Sequence, residues 1–116
     1  MADDWVHAGA EQDVPESPPW PEVTVGEHAV VLVRGEDGQI HAARSRCPHL
    51  AAPLTRADVV DQGLECSRHF YTYDLVTGRN TVPGEDADLA LPIHAVEVRD
   101  GQVWVHTTAP AGANLE

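Results

Sequence analysis

The chain has 116 residues and carries 19 acidic side chains against seven arginines and no lysine, a formal charge of −12. That excess of negative charge is repelled by phosphate backbones and anionic bilayers, which removes nucleic acid and membrane from the expected partners. The longest apolar run, "AVVLV" at 29–33, is far too short to span a bilayer, and the acidic start "MADDWVHAGA" is not the basic-then-apolar pattern of a secretory leader. The expectation is one cytoplasmic domain over 1–116, long enough to bury a modest core without disulfides.

In chain order, "VPESPPWPE" (14–22) is proline-dense and reads as an extended surface connector anchored by Trp5 or Trp20. "HAVVLVRGEDGQIHAARS" (28–45) reads as strand, turn at Asp37-Gly38, strand. The stretch 46–91 is loop-rich: "ADVVDQGLEC" offers one short strand, "FYTYDL" another, and Thr77-Gly78 a tight turn before "NTV". "PIHAVEVRDGQVWVHTT" (92–108) is a second hairpin, turning at Asp100-Gly101. There Val96, Val98, Val103 and Val105 alternate with Glu97, Arg99, Trp104 and His106, the period of half-buried strands. No segment has helical periodicity, and the tail at 109–116 reads as frayed. The predicted class is all-β.

Two short boxes carry the chemistry. "SRCPHLAAPL" (45–54) holds Cys47 and His49 on either side of a proline, which forbids a helix interior and removes a backbone donor. "LECSRHFYTYD" (64–74) holds Cys66 and His69. Together they read C-x-H, 16 intervening residues, C-x2-H. With only two cysteines, at most one disulfide is possible, and in a cytosolic chain a metal or catalytic role is favoured. A structural zinc site could also use two Cys and two His, but it ordinarily begins from a pair of cysteines two to four residues apart, a spacing absent here. A lone disulfide leaves both histidines unexplained, and chance placement requires two offsets to coincide. A further competing reading is a [2Fe-2S] cluster with two thiolates on one iron and two imidazoles on the other. Each box then supplies one ligand to each iron. Two thiolates cancel the +2 charge of the oxidised core where four would leave it negative, so the mixed site accepts an electron more readily. Its potential lies at about −150 to +300 mV, against about −400 mV for plant-type ferredoxins.

With these boxes the sequence resembles the Rieske-type ferredoxins, from about residue 4 to residue 108. Also matching are Pro48, the "APL" that follows the first box, the aromatic-x-aromatic-Asp run at 71–74, Thr77-Gly78, and the V-x-V-x-D-G-x-V-x-V strands at 96–105. The resemblance implies three small antiparallel sheets and a cluster-binding tip made of two loops at about 45–75. It implies one cluster per chain on Cys47, His49, Cys66 and His69, with the histidines facing solvent. Ala51, Ser67 and Phe70 depart from the Gly, Pro and Gly common in such boxes; none is a ligand. "CSRHFYTYD" is more similar to the boxes of ferredoxins serving diiron monooxygenases than to those of ring-hydroxylating dioxygenases. Tyr73 stands where, in high-potential relatives, a phenol donates a hydrogen bond toward a ligand sulfur. The alternative is a core aromatic with its hydroxyl in water. A potential near the bottom of the Rieske range is expected.

The implied role is an electron carrier with no catalysis of its own, taking single electrons from an NAD(P)H-dependent flavoprotein reductase to the hydroxylase of a diiron aromatic or alkene monooxygenase. Three alternatives remain: the ferredoxin of a ring-hydroxylating dioxygenase, the small subunit of a nitrite reductase, and a zinc-stabilised interaction module. A freely diffusing monomer is expected. His49 and His69 would form the electron port, with Arg44, Arg46, Arg56, Arg68 and Arg79 around the boxes as a candidate docking rim. His7, His28, His41, His94 and His106 have no paired cysteine and read as surface or satisfied core residues.

Overall fold

A strand that is apolar without interruption must be buried on both faces, and "AVVLV" behaves this way. The computed structural model describes residues 4–46, 53–66, 72–80 and 90–107. In it the run forms most of β3 (His28–Arg34), whose residues 30–33 are all buried. Around β3 lie β2 (Glu22–Val25), β4 (Ile40–Arg44) and β8 (Ile93–His94), giving a four-stranded sheet in the order β2-β3-β4-β8. Val30 and Leu32 enter one core, with Val25, Ile40, Ala42, Val103 and Val105. Val31 and Val33 point the other way, into a second core with Trp20, Ala43, Leu54, Leu64, Cys66 and Tyr73. The period-2 alternation of a strand thus makes β3 and β4 the middle layer of the molecule.

The first core is closed by a sheet of β1 (Trp5–Ala10), β10 (Gln102–His106) and β9 (Val96–Arg99), in the order β1-β10-β9. The second is closed by β5 (Asp58–Val60), β6 (Gly63–Glu65) and β7 (Thr72–Asp74). All pairings within these three sheets are antiparallel, and the only helical element among the described residues is a 3-10 turn at Glu11–Asp13. The expected all-β class and small antiparallel sheets are therefore present.

Two of the predicted elements divide. "ADVVDQGLEC", read as one strand, is the hairpin β5–β6. Its turn is Asp61-Gln62, both with positive φ (48° and 64°), as a two-residue turn that matches strand twist requires. Gly63 lies in β6, where a Cβ would collide with Thr72 Cγ2 across the sheet. The hairpin read at 92–108 splits too: Ile93 and His94 pair with β4 in the middle sheet, and after Ala95 the chain crosses to pair with β10. Val98, expected on a half-buried face, is 43% exposed because β9 is an edge strand. The hairpin at Asp37-Gly38 and the turn at Asp100-Gly101 stand as expected, with Asp100 at φ 52° and Gly101 at 76°.

Of the two tryptophans suggested as anchors for the proline-dense connector, Trp20 does the anchoring. It is 3% exposed, its backbone N–H donates to the Thr55 carbonyl at 2.6 Å, and its indole N–H donates to the Ala57 carbonyl at 2.7 Å. Trp5 lies half-buried in β1, edge-on to His106.

Candidate metal centre

The two boxes leave the fold at necks that hydrogen bonds hold shut. The first neck follows β4. The Ser45 carbonyl accepts from Leu54 N–H at 2.8 Å, Arg46 bridges to Pro53, and Ser45 N–H donates to the Ala29 carbonyl at 2.9 Å. Ser45 is a buried polar residue (4% exposed) because its main chain must close this loop. The chain therefore leaves the described fold at Arg46 and rejoins it at Pro53 with those two ends held together. The second neck is the pair Glu65↔Thr72, where β6 meets β7, and Cys66 is the first residue beyond it.

Of the four residues singled out by spacing, Cys66 is described, and Cys47, His49 and His69 lie outside the described residues, as do Arg68, Tyr71 and the tail at 109–116. Cys66 is fully buried in the core that also holds Leu54, which closes the first neck. The two loops thus spring from adjacent ground, the requirement for four ligands drawn from two segments to meet.

Tyr73 is fully buried in the same core, so the reading that put its hydroxyl in water is wrong. Its backbone is held in place by pairing with Leu64 on one side and by the bridge to Asn80. Beyond it, "DLVTG" forms the tight turn expected at Thr77-Gly78. One oxygen of Asp74 accepts from Val76 N–H at 2.7 Å and Thr77 N–H at 2.9 Å, and Gly78 turns with φ 79° against the Leu91 carbonyl.

The arginines divide. Arg46, Arg56 and Arg79 are exposed. Arg44 is not on a rim: its Nε donates at 3.0 Å to Nε2 of His94, a buried histidine whose Nδ1 is 2.7 Å from the His106 carbonyl. Those two contacts fix His94 as the neutral tautomer with the proton on Nδ1. Burial, then the nearby Arg44, His28 and His106, push its pKa below the ordinary histidine value, against the opposing effect of its bond to the His106 carbonyl. No sequence signal marked this pair. His41 fits neither half of the surface-or-satisfied-core expectation: the residue is half-buried, and its Nε2, like Oε1 of Gln62, is buried without a hydrogen-bond partner. Both face Gly35, which has no side chain to keep them apart.

Compared with known proteins, residues 4–103 match the family model of the Rieske [2Fe-2S] domain. The chain belongs to that family. Membership implies a Rieske-type [2Fe-2S] cluster as cofactor, and the described residues fit it: a fully buried cysteine at one loop neck, the second neck beside the same core, and a donor set of two sulfurs and two imidazoles available from the two boxes.

Among relatives, the chain is 28% identical over 116 residues to "Protein TIC 55, chloroplastic" of Arabidopsis thaliana, covering 93% of this chain but 21% of that protein. It is 32% identical over 84 residues to the ferredoxin component of an alkene monooxygenase system from Xanthobacter autotrophicus, covering 72% of this chain and 66% of that protein. Among solved structures, a chain from the complex of reduced oxygenase and oxidized ferredoxin in carbazole 1,9a-dioxygenase superposes with a TM-score of 0.75 at 25% identity, over 92% of this chain and 96% of that one. The chain thus spans about a fifth to a quarter of the length of the first curated relatives it matches. Among the described residues no helix is long and apolar enough to cross a membrane.

Proposed function

We propose that this Rieske domain is a mobile one-electron carrier, residues 1–116 acting as a unit, which serves the oxygenase of a multicomponent system. The observation that carries the reading is the pair of Cys/His boxes on loops whose necks close beside one core. Cys47 and Cys66 would hold one iron, and His49 and His69 the other. The cluster supplies a centre that gains and loses single electrons without moving atoms far. The protein's own contribution is asymmetric enclosure. Trp20, Leu54, Leu64 and Tyr73 keep water from the Cys66 side, and His49 and His69 would form the port through which partners exchange electrons.

The carrier reading draws on the alkene monooxygenase ferredoxin component and the carbazole dioxygenase ferredoxin complex. The first is matched over two thirds of its length and the second almost throughout, whereas the first curated relatives are matched over a fifth to a quarter. A flavoprotein NAD(P)H reductase is the donor and a terminal hydroxylase the acceptor, in the cytoplasm. The second box "CSRHFYTYD" favours a diiron monooxygenase as acceptor. The carbazole dioxygenase superposition favours the second reading, the ferredoxin of a ring-hydroxylating dioxygenase.

The test is an electron paramagnetic resonance spectrum of the dithionite-reduced protein, with iron and acid-labile sulfide counted on the same sample. A rhombic signal with average g below that of four-thiolate clusters is expected, with equal iron and sulfide. A silent spectrum with zinc bound would end the carrier reading. Reduced protein mixed with each class of oxygenase then decides the acceptor by the rate of reoxidation.

A further inference from the structure

The two necks are separate, and neither alone fixes where the first stands relative to Cys66. The segment joining them is short: from Leu54, at the first neck, a turn runs to Ala57, then β5 pairs with β6 and delivers Cys66. Within that turn Ala57 N–H donates to the Leu54 carbonyl at 3.1 Å. The turn at 54–57 is thus the pivot between the first neck and the strand pair that delivers Cys66.

A residue from outside both loops grips this pivot at two points. Trp20 receives nothing from it and donates twice, backbone N–H to the Thr55 carbonyl at 2.6 Å and indole N–H to the Ala57 carbonyl at 2.7 Å. The next residue ties the grip to the middle sheet, since the Pro21 carbonyl accepts from Leu32 N–H at 3.0 Å. Chain from the proline-dense connector thereby links β3 to the pivot. The indole is 3% exposed and its ring packs in the core shared by Leu54, Ala57, Cys66 and Tyr73. Two carbonyls two residues apart, both accepting from one side chain and its own backbone, leave the pivot no freedom to rotate without exposing an unmet buried acceptor.

We propose that Trp20 is a positioning residue for the cluster, and that its indole N–H bond to the Ala57 carbonyl sets the first neck, closed by Ser45 and Leu54, against Cys66. Packing alone would need only the ring. Positioning needs the N–H, and the two are separable. The inference rests on the carrier reading, in which the four Cys and His residues bind the cluster.

The experiment compares the holoprotein with Trp20→Phe, which keeps an aromatic ring and deletes the donor, and with Val103→Ala in the opposite core as a control for general loss of stability. Three quantities are read: the reduction potential by dye equilibration, the line shape of the reduced cluster's resonance, and the lifetime of the cluster under chelator. Trp20→Phe is expected to shift the potential, broaden the resonance and shorten the cluster lifetime about tenfold, the scale of one lost buried hydrogen bond. Val103→Ala is expected to lower the melting temperature and leave potential and line shape unchanged. If the Trp20→Phe protein melts lower but keeps the wild-type potential, line shape and cluster lifetime, Trp20 is core packing and the proposal is overturned. Should the Phe variant fail to fold, benzothienyl-alanine in place of Trp20 keeps the ring shape without the N–H and is judged by the same three readings. Wild-type protein that binds no iron would instead overturn the carrier reading, a result distinct from a wild-type cluster indifferent to Trp20.

Discussion

At the scale of single residues, two glycines and one histidine show where the fold has no slack. Gly78 sits at φ 79°, and a Cβ there would collide with the Leu91 carbonyl, so both the backbone angle and the space demand glycine. Gly63 is restricted by space, and its closest obstruction is a side-chain methyl, Thr72 Cγ2. Gly78→Ala is therefore expected to destabilise the protein by about 2 kcal/mol or more, with no side-chain change nearby able to relieve it. Gly63→Ala is expected to be rescued in large part by Thr72→Ser, which removes the methyl; urea unfolding of the single and double variants reads the difference. His94 makes a pH prediction. Folding holds it neutral, because burial and the cation-capable neighbours Arg44 on β4, His28 on β3 and His106 on β10 all disfavour its charge. A histidine whose folded pKa is depressed contributes stability that is complete above its unfolded pKa of about 6.5 and is lost as pH falls below it. The urea midpoint is expected to be level from pH 8 to 7 and to drop below about pH 6.5. His94→Leu should lower the midpoint at pH 8 and flatten that drop, leaving the part contributed by His41, whose pKa burial also depresses. An equally steep drop in the variant would assign the acid sensitivity elsewhere.

At the scale of elements, the sequence made some strands plain and hid others for a physical reason. The Asp-Gly turns at 37–38 and 100–101 and the buried run at 29–33 were legible because glycine and unbroken hydrophobicity are local signals. The β5–β6 turn was not, since Asp61 and Gln62 adopt positive φ without glycine while Gly63 serves a close approach that only the third dimension reveals. The sheet change at Ala95 was hidden because alternation continues across it. The boxes at 47–49 and 66–69 were legible by residue type and offset, and the family they pointed to is the one that residues 4–103 match. The necks that close their loops were not, because main-chain bonds such as Leu54 N–H to the Ser45 carbonyl leave no mark on residue identity. The non-glycine turn carries its own test. Asparagine tolerates left-handed backbone better than most residues, and Asp61 lies beside another acid, its N–H 3.4 Å from Oε2 of Glu36. Asp61→Asn is expected to stabilise the protein by about 0.5 kcal/mol, read as a higher urea midpoint with an unchanged slope.

At the scale of the whole molecule, charge and architecture point in opposite directions along the chain. Acidic residues outnumber arginines 19 to seven, yet the segments beside the cluster necks bring Arg46, Arg56 and Arg79 to the surface, with Arg68 inside the second box. By contrast Arg34 is consumed internally, donating to the carbonyls of Val14, Glu11 and Gly38, and Arg44 is tied to His94. On the proposed carrier reading the chain must meet two partners in turn and leave both, so its contacts would have to be small and its orientation set before contact. A negative body with arginines at the cluster end would orient the molecule in the field of an acidic docking site and hold the rest of its surface away. Substituting Arg46 and Arg68 by Gln together is then expected to lower the second-order rate of electron delivery to the terminal component several-fold at low ionic strength. The difference should vanish at about 1 M salt, where the Debye length is about 3 Å. The reduction potential should stay unchanged, because neither residue is a ligand in the proposed set. Stopped-flow reoxidation across a salt series makes the measurement, and a variant as fast as the parent at low salt would show that these arginines take no part in docking.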